Sequence, residues 1–292
     1  MKIGVVGGSG LYDLAGSGSV EQIEVETPFG KPSDSYAKIE LGGREVYFLP
    51  RHGRGHTILP SEINHRANIF GFKKLGVECL ISVSAVGSLC EGLRPRDVLL
   101  PDQYFDRTKQ SLTHTFFGNG LVAHVGFGDP ACSELRDTLA AALADILGAD
   151  DAPDGVKFQN GGTYVNMEGP AFSTRAESNF YRHFGFDVIG MTSLPEAKLS
   201  REAELCYQAL AMVTDYDCWH EEEEDVTAES VGAHLAANSA LAKRVLLAAI
   251  PEIPESRSCG CDSALASAIM SSRVVPPDVR ERLGVIVAKY VQ

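Results

Sequence analysis

Residues 2–10, Lys2-Ile3-Gly4-Val5-Val6-Gly7-Gly8-Ser9-Gly10, run an apolar strand straight into a glycine turn. Short apolar runs of this kind recur along the chain and alternate with amphipathic stretches, the pattern of interleaved strands and helices in an α/β domain. Tyr36 to Leu41 and Glu45 to Pro50 read as a hairpin around Gly42-Gly43, and Cys79 to Val86 as a buried strand. Pro60 to Leu75 reads as a helix closed by Gly76. After Asp129-Pro130, an N-cap and an N1 proline, Leu135, Leu139, Leu143 and Ile146 recur at helical spacing up to Gly148. Strands are expected at Gly162 to Met167, Asp187 to Gly190 and Ala209 to Thr214. Helices are expected at Thr174 to Phe184, Pro195 to Cys206 and Ala228 to Ile250. Pro251, Pro254 and Ser256 mark a break. The expected organisation is one domain over 1–253 and a helical extension over 254–292.

Composition narrows the function. A length of 292 residues with 44% hydrophobic and 22% charged residues suits a globular chain with a sizeable core and excludes disordered or collagen-like classes. The net charge of -13, with no basic stripe, argues against nucleic acid as a partner. No run approaches the apolar length of a membrane span, and the N-terminus enters a strand at once without a signal-peptide pattern, so a cytoplasmic location is expected. Seven scattered cysteines do not make a secreted framework. Cys79 falls in a strand, Cys132 and Cys206 in helical patterns, and buried thiols are the plain reading of all three. In Cys259-Gly260-Cys261 the glycine lets the backbone bend far enough for redox pairing, while the spacing and the lack of histidine partners argue against zinc. No metal site is expected.

Several segments carry candidate chemistry. Gly7-Gly8-Ser9-Gly10 after a strand suits a phosphate, with backbone N–H groups and the Ser9 hydroxyl as donors, and equally suits a plain tight turn. A dinucleotide site fits poorly, because Asp13 stands where the third glycine belongs. Arg51-His52-Gly53-Arg54-Gly55-His56 brings two guanidinium groups and two imidazoles off a strand end, a local anion site in an acidic protein or a surface loop with ordinary ion pairs. Ser84-Ala85-Val86-Gly87-Ser88 and Met191-Thr192-Ser193 end strands with hydroxyls, where ligands collect in open α/β sheets. Ser193 also suits a helix N-cap. Asp215 and Asp217, at i and i+2 after Ala209-Leu210-Ala211-Met212-Val213, point to one side of a strand on this reading. Two such carboxyls do not ionise together easily, so one is expected to keep a proton and serve as a general acid; in solvent just past the strand end they would do neither. Glu168-Gly169-Pro170-Ala171-Phe172-Ser173 combines a turn with an aromatic able to stack on a flat ligand. The run His220 to Asp225 reads as a solvated face, with Trp219 as its anchor.

In this order the segments resemble the methylthioadenosine phosphorylases, within the trimeric branch of the purine nucleoside phosphorylase family. The resemblance extends from the first strand to about Ile253. It rests on Thr27-Pro28-Phe29-Gly30-Lys31-Pro32-Ser33-Asp34, Arg51-His52-Gly53-Arg54, Glu168-Gly169-Pro170, Ser173-Thr174-Arg175-Ala176-Glu177-Ser178 and Thr214-Asp215-Tyr216-Asp217-Cys218-Trp219. It implies a single α/β domain with a twisted mixed central sheet flanked by helices, and a homotrimer. The implied reaction is phosphate-dependent cleavage of 5′-methylthioadenosine, with phosphate as co-substrate and no cofactor. Phosphate would lie between Ser9, Arg51, His52, Ser84 with the Ala85 N–H, and Thr192. The Met191 main chain would hold the ribose hydroxyls, and Phe172, with Ser173 beside it, would pack on the base. Asp215 and Asp217 would address N7 and the 6-amino edge, and Val226 and Val231 would line the 5′ pocket with a neighbouring subunit. Ser9 and Ser84 stand where threonine is commoner, and Gly190 replaces an expected polar residue. Cys259-Gly260-Cys261 resembles the tail of heat-stable members, where such cysteines join disulfides. Rival readings are a phosphorylase of 6-oxopurine nucleosides or methylthioinosine, and a nucleoside-binding sensor without turnover. An Asp217 acceptor favours a 6-amino base over a 6-oxo one.

Overall fold

The computed structural model describes residues 1–8, 11, 19–220, 228–270 and 275–291, with backbone alone for 228–233. Ser9, Asp13, Val226 and the acidic run 221–225 lie outside the described residues, as does the side chain of Val231.

The quoted N-terminal run forms β1 (Lys2–Gly7), buried from its second residue onward. It lies parallel between β4 (Arg44–Pro50) and β5 (Val77–Ser88). β2 (Glu21–Ile23) and β3 (Tyr36–Leu41) extend the sheet beyond β4 as antiparallel strands. The long β5 also pairs in parallel with β11 (Cys206–Asp215), and at its last residues antiparallel with β10 (Val188–Gly190). The sheet continues through β9 (Thr163–Met167) to β7 (Gln103–Arg107) on one side, and from β11 through β6 (Val98–Leu100) to β8 (Phe158–Asn160) on the other. The result is one mixed sheet: the β3–β4 hairpin gives a local antiparallel pair, while β5 with β10 and β6 with β11 pair antiparallel across long stretches of chain.

Helices cover both faces. α2 (Ser133–Gly148) and α5 (Ala228–Glu252) bury Leu139, Leu143, Val245 and Leu246 against Ile3, Val5, Ile81 and Leu210. On the other face α1 (His65–Lys74), α4 (Ser193–Glu202) and α6 (Pro277–Val287) bury Ile69, Phe72, Leu199 and Leu283 against Val6, Leu80 and Ala209. α3 (Arg175–His183) packs Tyr181 against Val165 and Ile189. Strands buried on both faces read as unbroken apolar runs, which is why β1, β5 and β11 stand out in the sequence. Among the described residues no helix is long and apolar enough to cross a membrane.

Several boundaries differ from expectation, each for a local reason. The helix expected from Pro60 is a 3-10 turn, Pro60–Glu62, followed by α1, because the Asn64 carboxamide oxygen accepts from the Ala67 N–H at 3.1 Å and caps the helix there. The helix expected at Asp129-Pro130 starts three residues later. The Cys132 N–H donates to the Tyr207 carbonyl at 2.8 Å, which holds Cys132 extended against β11 as the N-cap. Cys206 is not helical: the left-handed Glu204 (φ 55°) ends the chain's helical path, and Cys206 opens β11. Pro251 sits inside the last turn of α5 rather than after it, its ring packed over the Gly42 turn. The strands β2, β6, β7 and β8 have no counterpart in the sequence reading, being short and mostly at sheet margins.

Candidate active site

A cavity of about 310 Å³ opens where β1, β4, β5, β10 and β11 end. Gly8, Arg51, His52, Ser84, Ala85, Phe172, Met191, Thr192, Asp215 and Asp217 all line it. The chain thus gathers residues separated by about two thirds of its length at one rim of the sheet, the side on which α/β folds collect ligands.

At one end lies Arg51, only 2% exposed. Its guanidinium does not stand free as an isolated cation. Nε donates to Glu196 Oε1 at 2.5 Å, and Nη2 donates to Glu196 Oε2 at 3.2 Å and Ser82 Oγ at 2.7 Å, while Nη1 donates to the Val83 carbonyl at 3.0 Å. The expectation of two guanidinium groups leaving the sheet together is corrected as well. Arg54 is exposed, its Nε 3.9 Å from the Asp34 carboxylate, and its N–H donates to the same group at 2.9 Å. Histidine chemistry differs too. The His52 Nδ1 lies 2.9 Å from the Ile58 carbonyl and so carries the proton, with Nε2 as the acceptor. Burial and then the Arg51 charge push the ring down to about 4, so His52 is neutral near pH 7 rather than poised to change charge there.

Hydroxyls complete this end. Ser84 Oγ is buried without a hydrogen-bond partner among the described residues. An orphaned buried hydroxyl costs roughly 1–3 kcal/mol, and a ligand in the cavity relieves it. Thr192 is the N-cap of α4 but does not cap with its side chain, which leaves that hydroxyl uncommitted beside the cavity. Ser193, offered as an N-cap by the sequence, is instead the first helical residue; its hydroxyl lies 2.8 Å from both Tyr104 and Tyr207 hydroxyls.

At the other end, β11 stops at Asp215 and the chain turns. Asp215 and Asp217 are brought together by that turn, not by a strand pleat: Asp217 is left-handed (φ 53°), and its N–H donates to Asp215 Oδ1 at 2.8 Å. This side-chain-to-backbone closure is an Asx-turn. Thr214 Oγ1 donates to Asp215 Oδ2 at 2.7 Å. Burial raises both carboxyls above the usual range, and the Asp215 charge raises Asp217 further. Close approach here requires a glycine, since a Cβ on Gly87 would lie 2.9 Å from Asp215 Oδ1.

Between the ends, Met191 packs its sulfur over the Gly169 turn, where a Cβ would meet it at 2.5 Å. Gly190 is explained by Tyr164, whose hydroxyl would lie 1.9 Å from any Cβ there. Phe172 lines the cavity yet is 52% exposed. Ser173 is not brought to the cavity wall; its carbonyl accepts from Cys218 Sγ at 3.3 Å, beside Asp217. Glu168 is turned away, accepting from the Lys109 N–H at 2.7 Å. Trp219 does anchor its turn, donating to the Ser88 carbonyl at 2.7 Å beneath the Arg182 guanidinium. The sequence reading missed Glu196 and the α5 residues Leu235, Asn238 and Ser239, which line the cavity or hold its wall. Leu235 lies one helical turn beyond Val231, so helical spacing alone carried that signal.

Residues 2–251 match the family model described as the phosphorylase superfamily. The S-methyl-5′-thioadenosine phosphorylase of Koribacter versatilis is 56% identical over 290 residues, 99% of this chain and 96% of that protein. The chain belongs to the phosphorylase superfamily. Within it, a methylthioadenosine phosphorylase sourced from an Antarctic soil metagenomic library superposes with a TM-score of 0.89 at 44% identity, covering 97% of this chain and 98% of that one. A variant of the adenosine/methylthioadenosine phosphorylase from Schistosoma mansoni, solved in complex with methylthioadenosine, superposes at 0.80 with 33% identity over 91% of this chain and 96% of that one. The fold of the superfamily is therefore the fold of this chain.

The depressed His52 pKa has a stability consequence. As pH falls from 6.5 towards 4, the unfolded chain takes up a proton at this residue that the folded chain refuses, so stability falls with acidification. His52→Gln should flatten the acid side of the stability profile, measured by denaturant midpoints at several pH values. Equal acid-side slopes in the two proteins would place the ring in solvent.

Proposed function

We propose that the chain cleaves 5′-methylthioadenosine with inorganic phosphate, giving adenine and 5-methylthioribose 1-phosphate. The observation that carries this reading is the two-ended cavity: orphaned or uncommitted hydroxyls with Arg51 at one end, two buried carboxyls with raised pKa at the other, in a volume suited to a nucleoside. The names of its relatives agree with it.

Breaking an N-glycosidic bond builds positive charge on the ribose and negative charge on the departing purine. On this reading Ser84, Thr192, the Ala85 N–H, Ser9 and Arg51 hold phosphate below the ribose, where it attacks C1′ and stabilises the cationic centre. The neutral His52 accepts the hydrogen of a monohydrogen phosphate at Nε2. Met191 supports the ribose, Phe172 and the neighbouring Ser173 the base, and Val226 and Val231 the 5′ substituent. Asp215 gives its proton to N7 as the purine leaves; the hydrogen bonds from Thr214 and the Asp217 N–H then stabilise the carboxylate it becomes. Asp217 accepts from a 6-amino group. These roles need no cofactor, and phosphate is a co-substrate. The reading includes a homotrimer, supported by the half-exposed Phe172 and by exposed Phe180 and Phe184 nearby in the chain. It includes a cytoplasmic location, supported by seven scattered cysteines that do not make a secreted disulfide framework.

Release of adenine, followed by chromatography, should require phosphate, and Ser84→Ala should raise the phosphate KM roughly tenfold, the equivalent of a charge-assisted hydrogen bond. Equal turnover without phosphate would make the chain a hydrolase. Asp215→Asn should lower kcat by roughly 10²–10⁴ and remove the fall of kcat with rising pH that a protonated acid imposes. Asp217→Asn should instead lower the ratio of kcat/KM for methylthioadenosine over methylthioinosine. If both variants keep wild-type kcat and ratio, the base does not lie between these carboxyls. Sedimentation should give about three chains per particle; a fully active monomer contradicts the trimer.

A further inference from the structure

Four cysteines from distant parts of the chain, Cys132, Cys206, Cys259 and Cys261, place their Sγ atoms within 4.8 Å of one another. Cys132 is the N-cap of α2, Cys206 is the first residue of β11, and Cys259 and Cys261 flank the start of a 3-10 turn, Gly260–Ser263, in the C-terminal tail. Cys259 Sγ lies 3.4 Å from Cys206 Sγ and 3.8 Å from Cys132 Sγ. We propose that this cluster is a structural tetrathiolate site for a thiophilic divalent metal, zinc above all, which fastens the C-terminal tail to the sheet.

The distances favour one shared centre. A tetrahedral zinc with Zn–S bonds of about 2.3 Å holds its sulfurs about 3.8 Å apart. The two separations given above lie at or just inside that value. A disulfide would need sulfurs at about 2.05 Å, paired two by two. Here Cys259 approaches Cys206 and Cys132 together, so the arrangement singles out no pair. Four thiolates around a doubly charged cation leave a charge of minus two, which a buried site has to offset. The Arg257 guanidinium lies against Cys206, and Cys132 stands at the positive end of a 16-residue helix. Binding exchanges four thiol protons for one metal ion with no change of oxidation state, so it proceeds in a reducing compartment.

Linear spacing conceals such a site, because only two of the four ligands are near neighbours in sequence. Their partners arrive with α2 and β11, which the Cys132 N–H to Tyr207 carbonyl bond already joins, and the metal would tie the C-terminal tail to both. None of the four cysteines lines the active-site cavity, so the effect is on stability and not on the reaction.

The test uses the whole chain, made in zinc-supplemented medium and purified with a reductant. Elemental analysis should find about one zinc per chain after gel filtration. Exchange into cobalt(II) should give the visible d–d bands of a tetrahedral ion and an intense thiolate charge-transfer band. The double substitution Cys259→Ser with Cys261→Ser should lose the metal and lower Tm while leaving kcat/KM for methylthioadenosine unchanged. If that variant fails to fold, the metal content and cobalt spectrum of the unaltered chain decide alone. Metal-free protein from zinc-replete cells overturns the proposal, whether peptide mapping after thiol blocking then finds four free thiols or disulfides among them. Zinc retained by the folded double variant overturns it as well.

Discussion

The buried pair of Arg51 and Glu196 is the constraint on which the site depends. Both side chains are 2% exposed, and taking two such charges out of water costs several kcal/mol for each ion. The cost is offset by dense hydrogen bonding: a two-point contact with the carboxylate, the Ser82 hydroxyl bonded to both partners, and the Val83 carbonyl on the remaining arm. That bonding fixes geometry. The pair joins the residue after β4 to the first turn of α4 and to β5, so the strand ends around the cavity cannot shift independently. Tyr207, which also donates to Glu196, carries the network on to Ser193 and Tyr104.

A second constraint is close approach. Gly87 admits the Asp215 carboxylate, Gly169 admits the Met191 sulfur, and Gly190 admits the Tyr164 hydroxyl. In each case a side chain from another strand or turn occupies the volume a Cβ would take. The cavity wall is thus built from backbone on one side and a single large group on the other. Such a wall holds its shape without needing many hydrogen bonds.

The sequence disclosed the parts of this design that depend on local pattern. β1, β5 and β11 are apolar because both their faces are covered, and runs of that kind identify themselves. The glycine turn, the Arg51 loop and the Asp215 segment were legible as strand ends with unusual chemistry. What escaped was set by tertiary contact. The Asx-turn that joins Asp215 to Asp217 needs a left-handed residue that no spacing rule predicts. Glu196 reads as an ordinary first-turn acid until Arg51 is folded back onto it. Cys206 reads as helical until Glu204 turns the chain, and the four-cysteine cluster exists only once α2, β11 and the tail meet. Edge strands such as β7 carry polar residues outward and leave no apolar signature.

These charges determine how the phosphate end works on the proposed reaction. Arg51 arrives already paired, and His52 is held neutral, so that end offers hydroxyls, N–H groups and a compensated guanidinium in place of a bare cationic pocket. A strongly cationic pocket would draw in phosphate from an acidic protein's surroundings, yet it would also neutralise the negative charge the reaction needs. Catalysis rewards contacts that strengthen as the transition state forms, and tight ground-state neutralisation does not. A dianion held mainly by neutral donors keeps its charge available to the ribose as positive charge grows at C1′. The same logic applies across the cavity: burial raises the Asp215 carboxyl, which favours its holding a proton for the proposed transfer to the departing purine. On this reading the phosphate end holds negative charge and the base end holds a proton, and the bond-breaking step uses both at once.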